Sequence, residues 1–284
     1  MPTIRLIREV REPGGSGPWN GQYALQRALR RDAPDWLRIG GALSAGEIPW
    51  FWCWLDGDAA AACAQTGHPF VAGPNILFAD SRRPCRLPAE RAICAAASCR
   101  LLCTESVWYR DLIEAHRGPA NRAPIVLWPY PIDPQPSGPL PAEFELLIYQ
   151  KGACRRRLIE ELMRRFPRSR LTVYGQYRRA ELFDAARRSR CCAYLSDDDR
   201  GPLALAEILL AGCPAVGIRR GAPFIQAGRT GFFVECLQWQ QCSRAIEQCH
   251  ALDRRAVAAL AAEQFDARRT VATIIRSLAD TAQG

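Results

Sequence analysis

The sequence predicts an α/β protein built from two Rossmann-like domains. Three observations point there. Strand-like and helix-like stretches alternate through both halves of the chain, the pattern of parallel sheets joined by helical crossovers. A segment with six prolines, 129–141, separates the halves, and such a segment forms neither helix nor central strand. Residues 190–218 read as one strand–loop–helix–strand unit, and a crossover of that length makes its two strands parallel. The 284 residues suffice for two domains of about 140 residues each. The expected division is 1–130, a linker at 131–141, and 142–284.

In the first half, residues 3–10 alternate apolar and polar side chains and form the first strand. The turn EPGGSGPWNG at 12–21 follows, then a helix over 22–31. Glycines in a turn between a first strand and a first helix let backbone approach a phosphate; a plain flexible turn is the alternative. A short element comes at 34–38. Residues 48–55 form a strand whose tryptophans at 50, 52 and 54 share one face, as core rather than as a stacking platform. An alanine-rich helix covers 58–66, and a buried strand covers 69–78. Asn75 sits where this apolar run breaks. His68 just precedes it, either orienting a ligand hydroxyl or lying on a surface loop. Helices at 90–98 and 107–116 and strands at 101–106 and 124–128 complete the alternation.

The second half restarts with a strand at 144–149, then Lys151-Gly152 and a basic helix at 155–166. A strand at 171–174 ends in Tyr174-Gly175, and a helix follows at 180–189. The central unit comes next. Cys191–Leu195 is a short buried strand, and Ser196–Arg200 a polar turn with three aspartates. Gly201-Pro202 opens the helix Leu203–Ala211, with proline in its tolerated first turn. Gly212 sits where a helix end wants a left-handed residue, and 214–218 is the second strand. Residues 223–234 turn against the sheet, and 237–252 and 254–282 are helical.

Two acids in this unit stand out. Asp199 precedes the helix and Glu207 follows eight residues later. The helix N-terminus offers unpaired N–H groups suited to a phosphate. Glu207 lies in an apolar segment, where a carboxylate is costly without a partner such as a sugar diol; a surface position on an amphipathic helix is the other reading. The Asp197-x-Asp199 pattern also allows a magnesium or manganese ion on a diphosphate, or a solvated turn that caps the helix.

Composition narrows the classes. No apolar run is long enough to span a membrane as a helix, and the N-terminus lacks an apolar signal core, so a cytoplasmic protein is expected. The thirteen cysteines form no CxxC pair and read as reduced thiols and small core residues. The net charge of +9 is carried almost wholly by arginine, a weak pointer to nucleic acid or an anionic surface. Lys151 is the single lysine, so a compact ammonium at that place is singled out. No dinucleotide fingerprint, nucleophile elbow or metalloprotease motif occurs.

Asp199-x7-Glu207, followed by LLAGCPAVGI, resembles the E-x7-E motif and the segment after it in glycosyltransferase family 4, of the GT-B fold. The likeness is specific over about 146–234. It implies two Rossmann-like domains facing a cleft, with a nucleotide-sugar donor (UDP- or GDP-sugar) on the second. It places the first acid, Asp199, near the donor sugar and Glu207 on the nucleotide ribose. Asp199 stands where the family usually has Glu. Lys151-Gly152 matches a KG pair whose lysine binds the diphosphate, although the upstream arginine of the family is absent. Arg155, Arg156 and Arg157 are possible substitutes. Tyr174-Gly175 matches the strand end beside the base, and Gly201, Leu203 and Ala204 the helix start at the diphosphate. Gly15, Ser16 and Gly17 match a glycine-rich loop near donor and acceptor. His68 and Asn75 are acceptor-side candidates.

The resemblance thus implies a glycosyltransferase, retaining in stereochemistry, with Asp199 and Lys151 as catalytic candidates and no required metal. The acceptor is open among a glycan, a lipid-linked glycan and a modified DNA base, and the oligomeric state is not readable. A non-catalytic nucleotide-sugar or glycan-binding module is the alternative from another class.

Overall fold

The structure is a computed structural model, and it describes residues 2–12, 17–75, 87–132 and 138–283. The chain packs as two units. One comprises Met1–Pro131 with Ala267–Gly284, the other Ile132–Asp266.

The first unit begins with β1 (Ile4–Leu6), α1 (Gly17–Asp32), β2 (Leu37–Ile39) and β3 (Ile48–Cys53). It continues through α2 (Gly57–Thr66), β4 (Phe70–Asn75), α3 (Pro88–Ala95), β5 (Cys99–Thr104), α4 (Val107–His116) and β6 (Ile125–Leu127). Its six strands pair in the order β2-β1-β3-β4-β5-β6, all parallel. One face of the sheet, with Phe51, Phe70, Ala72 and Leu102, packs on Ile93, Tyr109 and Ile113 of α3 and α4.

α1 starts at Gly17, five residues earlier than the glycine content suggests. Pro18 falls in the first turn, where a missing N–H costs nothing. Trp50 and Trp52 are buried in β3 as core, but Trp54 is 67% exposed. It lies past the strand in a 3-10 turn, Trp54–Asp56, so the alternation that would align it with the other two has ended.

The second unit runs β7 (Phe144–Gln150), α5 (Arg156–Arg165), β8 (Ser169–Val173), α6 (Arg179–Arg187), β9 (Ser189–Leu195) and α7 (Leu203–Leu210). Then come β10 (Ala215–Gly217), β11 (Gly231–Phe233), α8 (Trp239–Cys249) and α9 (Arg254–Gln264). The sheet order is β11-β10-β9-β7-β8, again all parallel. The period of two is plain in the core. Leu147, Tyr149, Cys192 and Tyr194 face one layer of helices, α6, α7 and α9. Leu146, Ile148, Cys191 and Ala193 face the other, α5 and α8.

The segment expected to turn at 223–234 contains a fifth strand, β11. Gly231 has φ +156, and a Cβ there would collide with the Ala215 carbonyl; only glycine lets this short strand approach β10 so closely. The helical stretch at 254–282 breaks after Gln264, where Phe265 turns inward onto Phe224 with centroids 5.0 Å apart. The last helix, α10 (Ala267–Gln283), packs on α1 and β5 of the first unit. Among the described residues, no helix is long and apolar enough to cross a membrane, and twelve cysteines are free thiols.

Candidate functional site

In the second unit the chain adds β8 on one side of β7 and then returns to lay β9 on the other. The loops that leave the carboxyl ends of β7 and β9 therefore part, and a crevice at such a point is where open α/β sheets bind ligands. Lys151 follows β7 directly, and Asp199 lies in the loop after β9. The fold brings them together. The Lys151 ammonium donates to Asp199 Oδ2 at 2.5 Å, and their side chains are 29% and 8% exposed. Tyr194, fully buried near the end of β9, donates its hydroxyl to the same oxygen at 3.1 Å.

Two further ion pairs lie nearby in the chain, one between the same two loops and one between α6 and α7. Arg155 donates to Asp197, and Arg179, the first residue of α6, donates to Glu207. Of the three arginines named as substitutes for the missing upstream one, Arg155 is the one that reaches the β9–α7 loop, through Asp197. Arg156 instead pairs with Glu160 one turn along α5. The two outer aspartates of the DDD turn each hold a different cation of the β7–α5 loop. Among the described residues no cluster of three metal-ligating side chains occurs.

Burial shapes the electrostatics. It pushes the Asp199 carboxyl above the ordinary value, and Lys151 and Tyr194 oppose the shift. It does the same to Glu207, opposed by Arg179. Both acids thus sit desolvated, and the cation hydrogen-bonded to each, Lys151 or Arg179, still reaches water with its side chain. Arg179 is 44% exposed at the side chain and Glu207 8%. Arg179 is thus the water-facing half of the pair.

The remaining residues of this edge are backbone features. Gly152 and Gly175 adopt φ +85 and +80, left-handed turns at the ends of β7 and β8 that favour glycine. Tyr174 is 47% exposed, and the Lys151 ammonium lies 5.0 Å from its ring centroid, within cation–π range. α7 begins at Leu203, with Pro202 as its N-cap and no side-chain cap on its first turn. Gly201, Leu203 and Ala204 are half-buried there.

The candidates of the first unit are not gathered in one place. Asn75 ends β4, buried, and its Nδ2 donates to Tyr130 Oη at 2.9 Å. His68 lies before β4, at the opposite end of the strand, with Nε2 3.3 Å from the Glu47 carbonyl. Gly17 is the first residue of α1; Gly15 and Ser16 lie outside the described residues.

Sequence reasoning missed Arg179, Tyr149 and Tyr194. Arg178 and Arg179 at the start of α6 oppose the helix dipole, a misfit that signals a local reason. Tyr194 is the aromatic residue of β9, two residues before the polar turn, with a hydroxyl that burial obliges to find a partner.

No family model and no curated protein matches the sequence. Solved structures do. Sucrose-phosphate synthase from Thermosynechococcus elongatus superposes with a TM-score of 0.64 at 15% identity, over 100% of this chain and 97% of that one. Anabaena Alr3699/HepE, solved with UDP and glucose, gives 0.61 at 13% identity over 99% and 100%. AviGT4, a glycosyltransferase of avilamycin A biosynthesis, gives 0.58 at 14% identity over 100% and 99%. The likeness is one of fold, and the fold is GT-B: two parallel sheets with flanking helices.

Proposed function

We propose that the chain is a glycosyltransferase that takes a sugar from a nucleotide-sugar donor bound to the second unit. The observation that carries the proposal is the meeting of Lys151 and Asp199 at the carboxyl ends of β7 and β9, beside the helix α7 that holds Glu207, on a fold shared with HepE, which was solved with UDP and glucose. In this assignment Lys151 and the uncapped first turn of α7 neutralise the leaving diphosphate. Fixed charges and dipoles aimed at developing charge supply much of the barrier reduction in such chemistry. Gly152 and Gly175 leave backbone open for close approach: a Cβ at either would meet nothing within 4 Å. Glu207 takes the ribose diol after Arg179 releases it, and Tyr174 stacks on the base. The donor is a UDP- or GDP-sugar, and anomeric configuration is retained as in family 4.

The test is turnover. Purified protein with UDP-glucose or GDP-mannose and a panel of acceptors (oligosaccharides, lipid-linked glycans, hydroxymethylated DNA) is expected to release nucleoside diphosphate. Lys151→Ala is expected to lower that rate at least a hundredfold, the scale for removing one stabiliser of a developing oxyanion. NMR of the product reads the anomer. Release unchanged in Lys151→Ala would contradict the assignment.

A further inference from the structure

The structure surrounds Asp199 differently from what the sequence likeness implies. The likeness sets this acid beside the transferred sugar. Here its carboxylate turns inward. One oxygen, Oδ2, accepts both the Lys151 ammonium at 2.5 Å and the Tyr194 hydroxyl at 3.1 Å. Tyr194 is itself immobilised. Its ring stacks on Tyr149 of β7 with centroids 4.8 Å apart and planes 11° from parallel. Tyr149 Oη in turn lies 2.9 Å from Tyr177 Oη. Three phenols, two of them on neighbouring strands in direct register, thus brace one carboxylate. The backbone adds to this: the Asp199 N–H donates to the Arg220 carbonyl at 2.9 Å. The residue is fixed from both side chain and main chain.

Lys151 is the partner that needs fixing. A lysine side chain is long and rotamer-rich and presents a point charge without directional preference. Anchored at its tip by a buried, braced carboxylate, it is ordered before any ligand arrives, and preorganisation of that kind strengthens binding by removing an ordering cost.

We infer that Asp199 is a positioning residue: clamped by Tyr194, it orients the Lys151 ammonium toward the terminal phosphate of a nucleoside diphosphate and makes no contact with the transferred sugar. The inference rests on the donor-site proposal above. It replaces a sugar-contacting acid with a hydrogen-bond chain from Tyr194 through Asp199 to Lys151.

Calorimetric titration of UDP and UMP, or of GDP and GMP where wild type prefers GDP, tests it without any acceptor or sugar. The proteins are wild type, Asp199→Asn, Lys151→Ala, the double variant and Tyr194→Phe. Asp199→Asn and Lys151→Ala are each expected to weaken UDP by about tenfold or more, the scale of one charge-assisted contact. UMP affinity is expected to stay within twofold in both. The double variant should bind UDP no more weakly than Lys151→Ala alone, and Tyr194→Phe should lose part of the UDP-over-UMP preference. An unchanged UMP affinity also shows that each variant is folded. Two outcomes overturn the inference: wild-type UDP affinity in Asp199→Asn with sugar transfer abolished, or losses that add in full in the double variant. Failure of cooperatively melting wild type to bind either UDP or GDP would instead sink the donor-site proposal, and the inference with it.

Discussion

Glu207 is held against its own ionisation. Its side chain is 8% exposed, and burial raises its pKa while Arg179 opposes the shift. A raised carboxyl pKa means that the folded chain binds the proton more tightly than the unfolded chain. The charged form therefore subtracts from stability at neutral pH, and stability is regained as pH falls through the raised value. The cation opposite is nearly half-exposed, so it returns to water if the acid is neutralised and leaves no stranded buried charge. Glu207→Gln is thus expected to melt no lower than wild type at pH 7.5, with any gain shrinking toward pH 4. It should also lose nucleotide-sugar binding. A melting temperature several degrees below wild type would show that the pair serves the fold rather than a ligand. Under the donor-site proposal, an unfavourable acid kept where an amide would fit is stability traded for function.

At the scale of elements, two glycines of the second unit have separable jobs. Gly221 ends the turn after β10, and a Cβ there would collide with the Ser196 backbone. The same turn accepts the Asp199 N–H through Arg220. Gly212 ends α7 with φ +76, and a Cβ there would lie 2.6 Å from the Arg254 carbonyl and 3.0 Å from Pro139. Gly212→Ala is expected to cost about 1–3 kcal/mol through strain and crowding, read from urea midpoints, with UDP affinity intact. Gly221→Ala is expected to push the β9–α7 loop outward and weaken UDP severalfold. The reverse pattern would place the support of the site elsewhere.

Elements of this kind were largely legible in the sequence. The strand–helix–strand unit, with Gly212 as the left-handed residue after α7, followed from apolar runs and turn chemistry. Two features were not. β11 is three residues long and gives no periodicity, and it exists because Gly231 permits close approach to β10. Trp54 shares the spacing of Trp50 and Trp52, but the 3-10 turn that rotates it outward is set by a cap on Cys53 Sγ, which accepts from the Leu55 N–H at 3.3 Å.

At the scale of the molecule, both units wind their sheets in the same sense, 2-1-3-4-5, with a sixth strand added in the first. Each sets a cation against an acid across its switch point. Arg8, after β1, donates to Asp56, after β3, at 2.7 Å, as Lys151 does to Asp199. The alternation that predicts two such sheets is written along the whole chain. The site is less so, because its contacts join residues far apart in sequence. Lys151 and Asp199 are found from their neighbours in the chain, but Arg179 and Tyr194 acquire a role only once α6, α7, β7 and β9 are packed.

The most direct test of the central proposal is whether the second unit binds a nucleotide sugar through Lys151 and Glu207. Thermal unfolding of wild type, Lys151→Ala and Glu207→Ala would be followed with UDP-, GDP-, ADP- and CMP-sugars, each with and without magnesium. A ligand at a hundred times its dissociation constant adds about 2.7 kcal/mol of stability. The expected result is a shift of several degrees for wild type with a UDP- or GDP-sugar, independent of magnesium, cut to about half or less in Lys151→Ala and absent in Glu207→Ala. A cooperative transition that no nucleotide sugar moves, or one moved equally in all three proteins, would contradict it.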